Sequence, residues 1–175
     1  GLGKIQELDL EKMRRALGKI LKEAEKLKVQ TLTVRLPKKA SLSRAEMARA
    51  LTEGALLGSY RFDRYLEEKK EQTLQLVQLG TDEAGKDEVS EGLELGQILG
   101  QVTGFARDLV NEPANVMTPE KLAAEACRAG RQYGFEVEVL EEEALEKLNM
   151  KAFLEVAKAS ANRPRLIVMR HFGNR

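Results

Sequence analysis

The sequence predicts an α/β protein of two lobes joined by a long helix. Three observations carry the prediction. Short alternating segments rich in β-branched residues are interleaved with stretches of helical periodicity. Glycines at 92, 96, 100 and 104 recur every fourth residue inside one helical pattern. The stretch "ARDLVNEPANVMTPEKLAAEA", Ala106–Ala126, ends one helix and begins another.

The chain has 175 residues, 42% hydrophobic and 33% charged, enough apolar material for a core and enough charge for a solvated surface. No apolar run approaches the roughly 20 residues that span a bilayer, and the start "GLGK" has no signal-peptide pattern. The absence of an initiator Met suggests a trimmed or excerpted chain. Cys127 is the single cysteine, which excludes an internal disulfide and fits a reducing compartment. It shares a helical face with Ala123 and Gly130 and reads as a small packing residue, since its one conceivable partner, His171, lies near the chain end. Residues 1–50 hold 13 basic and 6 acidic residues, a balance of +7 in a chain of net charge +1. Such a balance could attract nucleic acid, but the cations alternate with Glu as on a solvated helix face, and no aromatic residues interleave with them for base stacking.

Along the chain, "GLGK" reads as a strand running into a turn, too short of glycines for a phosphate-binding fingerprint. Asp9 caps a helix with Leu10, Met13, Leu17, Ile20, Leu21, Ala24 and Leu27 on its core face. Gln30–Leu36 alternates as a strand ended by Pro37. Ser43 and Glu46 form a capping-box pattern, and the helix that follows aligns Met47, Leu51, Gly54, Ala55 and Gly58. Tyr60–Lys70 is a charged connection with aromatic tethers, Thr73–Gly80 a second strand, and residues 81–90 a polar loop. The four spaced glycines would weaken their helix by about 2–4 kcal/mol in sum. A close backbone approach must offset that, so the helix is expected to be clamped between two layers. Glu91, Glu94, Arg107 and Asp108 exclude a membrane version of the stripe.

Pro113 disfavours helical geometry at Glu112, so the long helix must end near Asn111. Thr118 can cap a new one, with Pro119 in first position and Glu120 near the positive dipole end; Lys121 stands where a capping box would put its acid. That helix is expected to bury Leu122, Ala126, Ala129 and Tyr133 and to stop at Gly134. Phe135–Leu140 alternates as a strand, residues 141–148 and 151–159 form short helices, and Arg165–Phe172 is an apolar strand. Strand, helical crossover, strand implies a parallel pair.

The joint Ala106–Ala126 closely resembles the segment that links the two domains in the leucine aminopeptidase (cytosol aminopeptidase) family. "GLGK" with "LDLEKMRRALGKI" is similar to the family's first-domain strand and helix, and residues 136–170 to the start of its peptidase domain. The resemblance thus covers nearly the whole chain. It implies a macro-domain-like three-layer N-terminal lobe over residues 1–88, incomplete at its start. It implies a connecting helix over 89–112, and the first β-α-β of a truncated metallopeptidase domain over 113–175. It departs from the family pattern at Asn149 and Lys151, where glycines usually flank the methionine, and at Ala157–Lys158–Ala159–Ser160, where Gly-Lys-Gly-Ser is common.

The resemblance further implies a cytoplasmic metallo-exopeptidase that removes N-terminal residues, often leucine, with two zinc or manganese ions, assembled as a hexamer. The family's Lys, Asp and Glu ligands lie in later motifs, one of them Asn-Thr-Asp-Ala-Glu-Gly-Arg, absent from this sequence. Gly80–Asp87 has similar letters, but Asp82 and Glu83 are adjacent and would point apart along an extended chain. Glu141–Glu143 reads as a helix start, and one His with one Cys cannot build a dedicated zinc site. The expected catalytic, metal and cofactor residues within this chain are therefore none. It reads as a non-catalytic piece of the enzyme, expected to self-associate or to be only marginally stable because of unpaired sheet edge and exposed core. A DNA-binding or pure assembly module is the alternative.

Overall fold

The computed structural model describes residue 4 and residues 7–37, 42–69 and 71–173. The strand expected at "GLGK" falls outside them. The chain divides into two compact units, Gly1–Asp108 and Leu109–Arg175.

In the first unit, α1 (Leu10–Lys26) begins where Asp9 Oδ1 accepts a 2.7 Å hydrogen bond from the Lys12 amide. It buries Met13, Leu17, Leu21 and Ala24, whereas Ile20 and Leu27, expected in the core, are exposed. Leu27 caps the helix C-terminus, and Lys28 turns the chain away at φ 56°. A residue at such a reversal follows the turn rather than the helical stripe. Strand β1 (Thr31–Arg35) and β2 (Leu76–Gly80) pair in parallel, Thr31 opposite Leu76 and Arg35 opposite Gly80, with α2 (Arg44–Ser59) as the crossover. The second strand begins three residues later than alternation predicts. The expected polar loop is also shorter, because a 3-10 turn at Glu83–Gly85 leads directly into α3 (Lys86–Asn111).

The capping box of α2 is formed in full. The Ser43 hydroxyl accepts from the Glu46 amide at 3.2 Å, and the Ser43 amide and hydroxyl each donate to Glu46 Oε2 at 2.9 Å. These bonds, the backbone one foremost, hold the Glu46 carboxyl below the usual carboxylate range. A lowered folded-state pKa contributes stability above the unfolded pKa that is lost as pH falls through the folded value, so the cap weakens in acid. Ser43→Ala is expected to reduce stability by about 1 kcal/mol, read as a lower urea midpoint. An unchanged midpoint would show that the box does not hold the helix start.

Helix α2 carries two glycine-lined faces. Toward α1, a Cβ on Gly54 would sit 2.6 Å from the Arg14 carbonyl oxygen, and one on Gly58 would sit 2.7 Å from the Gly18 Cα. Toward α3, a Cβ on Gly92 would meet the Ala45 carbonyl oxygen at 2.1 Å, and one on Gly96 the Arg49 carbonyl oxygen at 2.8 Å. The close approach predicted from the glycine stripe is real, but the helix enclosed on two sides is α2. Among the described residues, the opposite face of α3, with Leu95, Ile98, Leu99 and Val102, is exposed. The core of this unit gathers Leu8, Met13, Leu17, Leu21, Met47, Leu51, Leu74 and Val89 around the α1–α2 crossing.

The second unit contains α4 (Pro119–Tyr133), β3 (Glu136–Leu140), α5 (Glu142–Lys147), α6 (Lys151–Ala157) and β4 (Leu166–Arg170). Here the expected parallel pair is wrong: β3 and β4 are antiparallel, Glu136 opposite Arg170 and Leu140 opposite Leu166. One crossover helix returns the chain to the start of the first strand, whereas two short helices in succession return it to the end it left. The reversal between them is at Asn149, φ 56°. Asparagine tolerates the left-handed region, so it serves where the related family usually has glycine. Lys151 opens α6 and Ala157 ends it, and neither these nor Ala159 has a positive φ, so these positions do not require a glycine. The core face of α4 is also rotated from expectation: Ala123, Ala129 and Gly130 are buried, while Leu122 and Tyr133 are exposed.

Candidate functional site

The joint that the sequence singles out is built from local hydrogen bonds. Helix α3 ends at Asn111, and the Pro113 carbonyl accepts from the Val116 amide at 2.8 Å and the Met117 amide at 2.9 Å, closing a tight turn. Thr118 then caps α4, its hydroxyl accepting from the Lys121 amide at 3.3 Å, with Pro119 in the first turn where its missing N–H is not needed. Gly134 ends α4 at φ 75°, with its amide bonded to the Gly130 carbonyl. Glu112, next to the proline, is a buried carboxylate. Neither periodicity nor capping chemistry signals that burial.

Several acids that the sequence offers as candidate ligands are paired with nearby cations. Asp82 pairs with Arg44 at 3.1 Å and Glu83 with Lys86 at 2.6 Å, so these two adjacent acids of the "GTDEAGKD" stretch face different partners. Glu141 stands at the N-cap position of α5, where its side chain makes no capping hydrogen bond, and pairs with Arg165 at 3.2 Å; Glu138 pairs with Arg170 across the antiparallel sheet at 2.7 Å. Glu125 lies between Lys121 at 3.0 Å and Arg128 at 2.9 Å, and these donors, Lys121 first, hold its carboxyl below the usual range. Among the described residues, no three of His, Cys, Asp and Glu converge as ion ligands would. Cys127 is half-buried on α4 between the buried Ala123 and Gly130, as its spacing predicts, and His171 is exposed beyond β4. This arrangement can orient helices and strands.

In the first unit, several cations of the basic first third meet neighbouring acids: Arg15 pairs with Glu11 at 2.7 Å and Lys26 with Glu23 at 2.7 Å. Periodicity did not reveal a buried charge cluster. Glu53 of α2 accepts from Arg14 Nε of α1, and Arg49 Nε lies 3.5 Å from its other oxygen. The one available signal was an acid directly beside Gly54 on the face that packs.

Two models of one family match the chain: the N-terminal domain of the cytosol aminopeptidase family over residues 1–69, and its catalytic domain over residues 104–175. The probable cytosol aminopeptidase of Clostridium perfringens is 43% identical across 100% of this chain, which covers 36% of that protein. The probable cytosol aminopeptidase of Persephonella marina is 42% identical across 95% of the chain, covering 34% of its own length. Among solved structures, the bottromycin maturation enzyme BotP in complex with Mn aligns with 97% of the chain and 35% of its own at a TM-score of 0.83 and 28% identity. A mutant of tomato leucine aminopeptidase aligns with 90% of the chain and 32% of its own at 0.81 and 28%. The chain therefore spans about a third of the length of the relatives it matches.

Proposed function

Because the chain belongs to the cytosol aminopeptidase family, we propose that it supplies the N-terminal domain and the opening of the catalytic domain of an aminopeptidase that removes N-terminal residues from peptides. The observation that carries this reading is the ordered match of two domain models of one family, the N-terminal one over residues 1–69 and the catalytic one from residue 104, within α3, through the Asn111–Thr118 joint to residue 175. In this reading residues 1–88 form the non-catalytic domain, 89–112 the connecting helix and 113–175 the beginning of the peptidase domain. The enzyme is cytoplasmic and hexameric. The comparisons match peptidases on both sides of the joint and favour this reading over a DNA-binding or pure assembly module.

Hydrolysis by the whole enzyme would use two divalent cations, zinc or manganese, a reading supported by the manganese complex of the bottromycin enzyme. Among the described residues no three of His, Cys, Asp and Glu converge as ligands of such a pair would, and Asp82, Glu83 and Glu141 are paired with Arg or Lys. No residue of this chain is therefore proposed as catalytic, metal-binding or cofactor-binding.

The test pairs metal analysis by mass spectrometry with hydrolysis of a leucyl chromogenic amide under added manganese. The 175-residue chain is expected to hold no stoichiometric metal and to show no turnover, and the whole enzyme to hydrolyse the amide in a metal-dependent way. Stoichiometric metal with turnover in the chain itself would overturn the assignment of its residues. A whole enzyme inert toward every aminoacyl amide would overturn the peptidase reading.

A further inference from the structure

A groove of about 330 Å³ lies along the α1–α2 crossing, bounded at one end by Arg107 of α3. Its floor is backbone: Gly18, Gly54 and Gly58 bring the two helices so close that a Cβ on Gly58 would sit 2.7 Å from the Gly18 Cα. The walls are cationic. Arg14, Arg15, Lys19 and Lys22 line it from α1, and Glu11 is the one acid.

These cations divide into two groups. Arg14 is held by Glu53 and Arg15 by Glu11 at 2.7 Å. Lys19 and Lys22 have no ion pair or hydrogen bond among the described residues, in contrast to Lys12 and Lys26 of the same helix, which pair with Asp9 and Glu23. Arg107 is fixed in place by a 3.2 Å hydrogen bond from Nη1 to the Leu57 carbonyl and by its position 5.4 Å from the centroid of the Tyr60 ring. That leaves further guanidinium N–H groups for a ligand. Three uncompensated cations around one concavity repel one another, and a multiply charged anion would relieve that repulsion.

We propose that this groove binds a free oligophosphate, either inorganic tripolyphosphate or the phosphate tail of a nucleoside triphosphate. A short chain of linked phosphates concentrates charge at the scale of the groove and can take point charges from the two lysines and a planar fork from Arg107. A nucleic-acid duplex fits less well: the groove is small, and the basic helix lacks aromatic residues for stacking.

The test is calorimetric titration of the 175-residue chain with tripolyphosphate, and separately with a nucleoside triphosphate, at low ionic strength. Saturable binding at one site per chain is expected with tripolyphosphate, weakening steadily as salt rises. The double variant Lys19→Gln/Lys22→Gln should bind about tenfold more weakly or worse. Its urea midpoint should be unchanged, since both lysines are exposed. Nucleoside triphosphate binding that tripolyphosphate displaces would also support the groove as a phosphate site. No saturable binding, undiminished binding by the double variant, or duplex DNA binding that tripolyphosphate does not displace would each overturn the proposal.

Discussion

Gly92→Ala is expected to destabilise the first unit by about 2–3 kcal/mol net, although alanine is the better helix former. The added Cβ would lie 2.1 Å from the Ala45 carbonyl oxygen and 2.8 Å from both the Ala45 carbonyl carbon and Cα. All three atoms belong to the backbone of α2, so no rotamer change can relieve the overlap; the helices must separate along the stretch where Gly96 and Gly100 also pack. The gain in helix propensity, about 1 kcal/mol, offsets only part of that. Gly104→Ala provides the control within the same stripe. Its nearest neighbour would be Tyr60 Cδ2 at 3.8 Å, an ordinary contact. The propensity gain is then unopposed, and the variant should be more stable by about 0.5–1 kcal/mol. Urea unfolding of the two variants decides the matter. If Gly92→Ala were as stable as the parent, α3 would not be seated on α2 as described.

The second large effect is expected at Glu53. Its side chain is 10% exposed and stands between Arg14 and Arg49, whose side chains are 26% and 30% exposed. Its hydrogen bond is the main cause of the raised pKa of Arg14, with burial acting in the opposite sense. Glu53→Ala leaves two guanidinium groups facing each other across the α1–α2 crossing with no anion between them. Removal of one partner from a fully buried pair costs about 3–5 kcal/mol. The exposure of the arginines reduces the expectation to about 2–3 kcal/mol. Replacing the set with apolar residues, as in Arg14→Met/Glu53→Leu/Arg49→Leu, should recover most of the loss, because the original charges were themselves partly desolvated. A Glu53→Ala variant within about 0.5 kcal/mol of the parent would mean that water screens the cluster and that it contributes little to the crossing.

Element identity was legible in this sequence wherever local signals dominate. Asp9, Ser43, Thr118 and Gly134 bound their helices as side-chain chemistry dictates. Pro113 ended α3 one turn before the new cap. The glycine stripe announced a close backbone contact, but not which helix would be enclosed, because spacing identifies a face and not its partner. Helical faces were read too generously: Ile20, Leu122 and Tyr133 satisfy the periodicity yet are exposed. The strand direction in the second unit was lost for a different reason. The crossover rule assumes one returning helix, and the sequence had already shown two, separated at Asn149. For the candidate site, the reading that Asp82 and Glu83 do not converge followed from their adjacency and agrees with their separate partners. The Glu53 cluster and the cationic groove escaped it, since both arise where residues about 40 or more positions apart meet across packed helices.

The glycine seats also determine where conformational freedom is lost when this unit orders. A leucine or methionine fixed at an ordinary helix interface gives up about 0.5–2 kcal/mol of rotamer entropy. At Gly18, Gly54, Gly58, Gly92 and Gly96 there are no rotamers to freeze. The corresponding loss falls on the main chain, because glycine explores more of φ,ψ space than any other residue before folding. The stability of the α1–α2–α3 stack is therefore set to an unusual degree by the breadth of the unfolded ensemble, a quantity that no inventory of native contacts contains.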